Sequence, residues 1–199
     1  NANETAARIA VAAAGTGAKS IIFVNTKPVS VSTARDIAEQ LALDVVLNER
    51  EAALWSTIQT ELGHAKHSVF GNGAFGAVPH NAAMLRIERM LSEQLYKRSD
   101  GAMAIVATPT LAQGLNLPAQ IAVLAGDKRA AEEGNGREDL QAHELLNAAA
   151  RAGRAGHLAN GVVLLVPEPL VTFRNAALDD SRLLAKLSSV LPEDDRCVS

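Results

Sequence analysis

The chain is poor in several things, and each shortage narrows what it can be. Aromatic residues make up only 3% of 199 positions, with a single tryptophan and a single tyrosine. Close contacts must then come from alanine and branched aliphatics, which favours helices laid tightly on a sheet. One cysteine, Cys197, excludes an internal disulfide and suits a reducing compartment. Formal net charge is −3, so no global basic field advertises nucleic acid and any phosphate contact must be local. No apolar run reaches membrane-spanning length, and no basic start with an apolar stretch marks a signal peptide. A soluble cytoplasmic protein without a membrane partner is the expectation, and Asn1-Ala-Asn reads as a cut end or an expression remnant. What the chain does have is 48% apolar residues, enough for a full core and too many for disorder.

Two tempting motifs fail on spacing. Gly15-Thr-Gly-Ala-Lys-Ser20 has the ring of a phosphate-binding loop, but Ala13 and Ala18 stand where glycines are needed. A strand, Ser20-Ile-Ile-Phe-Val24, follows the Lys-Ser where a helix is required. We read it as a helix-to-strand turn. His64-Ala-Lys-His67 lacks the companions a metal site needs. No Ser/His/Asp set or carboxylate pair has spacing that supports a small-molecule enzyme on a flavodoxin-like sheet.

In chain order, residues 4–14 predict an alanine-rich helix, and 20–24 a buried strand. The strand ends in Asn25-Thr26, and Pro28 suits the opening turn of a helix over 29–42. Asn25 and Thr26 either cap that helix or touch a ligand at the strand's carboxyl end. Residues 49–62 predict a helix with Leu54, Ile58 and Leu62 at four-residue spacing, and Trp55 packing. Residues 77–80 predict a strand whose proline argues for an edge. Asn81 is expected to cap a helix over 82–96, with Leu85, Met90, Leu91 and Leu95 inward and Arg86, Arg89, Lys97 and Arg98 outward.

The run Ala102–Ala107 is the signature of a buried parallel strand. A strand at 120–125 follows, then a charged loop over 126–136. A helix from Asp139 delivers Arg151 and Arg154. A last buried strand spans 161–167, and an amphipathic helix 180–191. Strand–helix alternation with roughly five strands implies one α/β domain on a parallel, doubly wound sheet.

The stretch Leu145–Gly156 organises this layout. Arg151 and Arg154 are three apart, share a helix face, and stand among alanine and glycine that let another surface come close. Two permanently charged forks suit a polyphosphate; they also suit a helix C-terminus capped by Gly153.

Three stretches then fall in one order: Ile21-Ile-Phe-Val-Asn-Thr26, Ala107-Thr-Pro-Thr-Leu-Ala-Gln-Gly-Leu-Asn-Leu-Pro-Ala119, and Asn147-Ala-Ala-Ala-Arg-Ala-Gly-Arg154. The order resembles motifs IV, V and VI of the second RecA-like domain of superfamily-two DExD/H-box helicases. The middle stretch is especially similar to the Ski-like branch, as is Pro79-His80 followed by Arg86 and Glu88. The resemblance covers residues 20 to 167. It implies a three-layer RecA-like parallel sheet with helices on both faces.

The resemblance also implies roles. Arg151 and Arg154 match arginines that reach the ATP γ-phosphate, stabilising charge in phosphoryl transfer. Gly114, Asn116 and Asn147 match positions that face the nucleotide; Asn147 stands where the pattern has glutamine, which shortens its reach, and Ala150 replaces a glycine. Asn25, Thr26, His80 and Thr108 match contacts to the nucleic-acid backbone, which position a strand without reading its sequence. The partners implied are DNA or RNA and a first RecA-like domain, and the latter would hold most of the ATP and Mg²⁺. Residues 1–199 contain neither a phosphate loop nor an acidic box. The expectation is therefore one C-terminal motor lobe, a fragment of a larger helicase and inactive alone as an ATPase. A non-catalytic nucleic-acid-binding scaffold that kept the fold is the alternative.

Overall fold

A computed structural model of the chain describes residues 1–63, 67–71, 73–108, 117, 119–126, 128–130, 137–139 and 161–166. The predicted Arg151, Arg154, Gly114, Asn116, Asn147 and the helix over 180–191 lie outside these residues.

Each strand of the main sheet is short and nearly uninterrupted in its apolar run, and each is paired in parallel. β1 (Ser20–Phe23) lies between β3 (Ala104–Ala107) and β4 (Ile121–Ala125). β2 (Ala77–His80) pairs outside β3, and β7 (Val162–Val166) outside β4, giving the order β2-β3-β1-β4-β7. Pro79 therefore sits on an edge strand, where its missing N–H removes no ladder bond from a second neighbour.

Side-chain alternation along β1 divides the core in two. Ile22 and Val24 face α1 (Ala2–Gly15) and α2 (Lys27–Leu41), a layer built from Ala6, Ala10, Ala34, Ile37 and Ala38. Their small side chains let these helices lie close to the sheet. Ile21 and Phe23 face the other way, toward α4 (Arg86–Lys97) and a cluster of larger groups including Phe70, Phe75, Leu91, Leu95 and Tyr96. α3 (Glu49–Glu61) packs on α4. Helices thus cover both faces of an all-parallel sheet, the three-layer α/β arrangement of a RecA-like fold. The scarce aromatics are concentrated here: Trp55 meets Phe70 and Phe75 edge-on at 6.0 and 5.4 Å.

Several expectations need correction. The helix expected from residue 82 begins at Arg86, because Asn81 turns the chain instead: its Oδ1 accepts from Ala83 N at 2.9 Å. Leu85 is the N-cap rather than an inward residue, and is 39% exposed. A leucine has no acceptor, so the cap is held from one side, by Glu88 Oε2 accepting from Leu85 N at 3.0 Å. Arg98 is not a free outward cation; it pairs with the buried Glu51 at 3.2 Å.

The charged loop over 126–136 contains the start of a second, two-stranded sheet, in which β5 (Lys128–Ala130) pairs antiparallel with β6 (Arg137–Asp139). Asp139 accordingly ends a strand rather than opening a helix. β7 is not wholly buried: Val162 and Val163 are 51% and 42% exposed, as befits the first half of an edge strand.

Candidate nucleic-acid interface at the carboxyl edge of the sheet

Parallel pairing places all five strands' carboxyl ends on one edge. His80, Ala107, Phe23, Leu124 and Leu165 share one level. Asn25, Asn81, Thr108, Gly126 and the end of β7 follow just beyond them. Ligands of open α/β sheets bind at this edge, where the loops diverge.

The backbone of Val24 donates to Ala107 O at 2.9 Å, extending the β1–β3 ladder by one residue. Asn25 and Thr108 thus leave adjacent strands side by side. Asn25 is half-buried and Thr108 is 7% exposed. Thr26 is exposed and caps α2, with its hydroxyl accepting from Val29 N at 3.4 Å. Pro28 stands in that helix's first turn, as the sequence suggests. The capping role of Thr26 is therefore real; its exposure leaves the hydroxyl reachable as well.

His80 is deeper than its sequence position implies. It is 2% exposed, and its Nε2 lies 3.1 Å from Glu93 Oε1. Nδ1 is buried without a hydrogen-bond partner. Burial lowers its pKa from 6.5, opposed by the hydrogen bond and charge of Glu93. Burial thus favours the neutral ring, which ties the end of β2 to α4 through Glu93.

One residue that positions this edge looks, in sequence, like no more than a helix cap. Asn81, 1% exposed, donates from Nδ2 to Ser30 Oγ at 2.8 Å and to Lys27 O at 3.4 Å. It thereby fixes the first turn of α2 against the end of β2. The available signal was an asparagine directly after a strand, which reads equally as a helix cap.

The opposite, amino edge carries the failed phosphate loop. Lys19 is buried and donates from Nζ to Tyr96 O at 2.6 Å, to Ala102 O at 2.8 Å, and to Arg98 O. Desolvation lowers its pKa to about 8; Asp100 opposes that and Arg98 adds to it. The lysine serves the carbonyls at the end of α4, the favourable place for a cation, and has no donor left for a nucleotide. A groove of about 620 Å³ between α1 and α2 is lined by Glu4, Asp36 and Glu39, whose carboxylates disfavour a phosphate. Among the described residues no cluster of metal-binding side chains occurs and no helix is long and apolar enough to cross a membrane.

No family model matches the chain. Individual relatives do. It is 32% identical over 146 residues to the DExH-box ATP-dependent RNA helicase DExH14 of Arabidopsis thaliana, a match covering 69% of this chain and 6% of that protein. It is 29% identical over 151 residues to the U5 small nuclear ribonucleoprotein 200 kDa helicase of Homo sapiens, covering 73% and 7%. With the ATP-dependent DNA helicase Hel308 of Pyrobaculum calidifontis the figures are 30% over 164 residues, 79% and 22%. The chain thus spans less than a quarter of the length of each.

Proposed function

We propose, from the premise that this chain is homologous over about 70% of its length to Ski-like DExH-box helicases, that it is the second, C-terminal RecA-like lobe of an ATP-dependent helicase or translocase. The observation that carries the reading is the pairing of β1 with β3. It brings Asn25 and Thr108, from two motifs more than eighty residues apart in sequence, next to each other at the ligand edge.

In this reading Asn25, Thr26 and Thr108 meet backbone phosphates or sugars with neutral donors and acceptors. Such contacts hold a strand in register and carry no sequence preference. His80 supports that edge through Glu93 and Asn81 through Ser30. Gly114, Asn116 and Asn147 face the nucleotide. Arg151 and Arg154 reach across a cleft to the γ-phosphate and stabilise the charge that develops during transfer.

ATP and Mg²⁺ would be held chiefly by a first lobe carrying the phosphate loop and acidic box. This lobe's own residues supply positioning and positive charge. Alone, it is expected not to turn over ATP. Purified residues 1–199 should show no ATPase above background; turnover that disappears in Arg151→Ala would overturn the division of labour.

A further inference from the structure

Gly126 directly follows β4 in a conformation that side chains rarely adopt, with φ +93°. Its N–H donates to Val166 O at 2.8 Å, which pins it toward β7. On its other side lies β1. The register that pairs Phe23 with Leu124 brings Asn25 opposite Gly126. A Cβ added at Gly126 would stand 2.9 Å from Asn25 Nδ2, closer than real Cβ contacts come, and 3.7 Å from its Cγ and Oδ1. The three atoms of the Asn25 amide are the nearest neighbours of that missing carbon, so the amide lies over the bare Cα. The amide makes no hydrogen bond to another described residue, and Asn25 is only half-buried.

We propose that Gly126 is a positioning residue for the nucleic-acid contact: the absence of a side chain lets the Asn25 amide lie over the carboxyl end of β4, where no described residue engages its N–H groups and a backbone phosphate can. This rests on the reading of the chain as a helicase lobe. A side chain at 126 leaves two escapes. The backbone cannot yield easily, since the Gly126 N–H is held by Val166 O. The amide turns on only two torsions, and it moves. The ligand contact is then lost while the sheet persists.

The two effects of a substitution at Gly126 separate in a double-mutant cycle. Strain from the positive φ lowers stability whatever stands at position 25. Displacement of the amide matters only while Asn25 is present. The probe is a labelled single-stranded oligonucleotide, DNA and RNA in separate titrations against the full-length protein, with thermal unfolding followed in parallel.

Asn25→Ala should weaken binding by roughly ten- to hundredfold, the loss of one hydrogen bond to a charged phosphate. Gly126→Ala should weaken it by a similar factor in the native background and by nothing further in Asn25→Ala. Its melting temperature should fall equally in both backgrounds. Should Gly126→Ala not fold, Gly126→Asn carries the same Cβ and tolerates positive φ better.

Additive losses in the double variant, or unchanged binding in either single variant, overturn the positioning role and leave the motor reading standing. Failure of the unsubstituted protein to bind either oligonucleotide overturns the motor reading itself, and this inference with it.

Discussion

Single residues show where local chemistry and sequence context part company. Lys19 follows a glycine-rich turn, yet spends all three ammonium hydrogens on carbonyls of Tyr96, Arg98 and Ala102. Replacing it by methionine keeps the stem and leaves those acceptors buried and unpaired. Lys19→Met should lower unfolding free energy by about 2–4 kcal/mol in denaturant titration and leave nucleic-acid affinity unchanged. His80 gives a pH dependence of definite sign. Its folded pKa lies below 6.5, so below that pH the unfolded chain binds more protons than the folded one. Stability is then present above 6.5 and is lost as the pH falls, by at most about 1.4 kcal/mol per pH unit. In His80→Gln the slope of melting temperature between pH 7 and 5 should be shallower; an unchanged slope would show that other groups carry it.

At the level of elements, the strands were the most legible part of the chain. Their apolar runs are short and bounded by polar residues or glycine, and Pro79 announced an edge. Helix starts were less legible. The turn at Asn81 depends on its bonds to Ala83 and to Ser30, the second fifty-one positions away, and nothing in the local pattern reveals such a partner. Asn81→Ala breaks the tie between β2 and the first turn of α2. It should cost about 1–3 kcal/mol and speed amide exchange at the start of α2. Unaltered exchange there would mean that Thr26 and Pro28 hold the turn unaided. The antiparallel pair β5–β6 is hidden in the sequence because its charged residues read as a surface loop. In the aromatic cluster the outcome is simpler: Phe75, 5% exposed against Trp55 and Phe70, should cost about 3–5 kcal/mol when truncated to alanine, measured by thermal or denaturant unfolding.

Across the whole molecule, the parallel sheet turns a linear order of motifs into one edge. Sequence alone could say that Asn25 and Thr108 each end a strand. That those strands are neighbours is a property of the topology, in which β3 and β4 flank β1. The catalytic claim was legible only through resemblance, since two arginines at helical spacing suit a helix end as well as a phosphate. Those arginines define the account, and the most direct measurement is steady-state ATPase of the full-length protein carrying Arg154→Ala, with oligonucleotide affinity measured alongside. The rate should fall by about three orders of magnitude or more, while affinity stays within roughly threefold, less than one hydrogen bond's worth. ATPase that survives the substitution at a near-native rate would contradict the assignment of this lobe to the chemistry of hydrolysis.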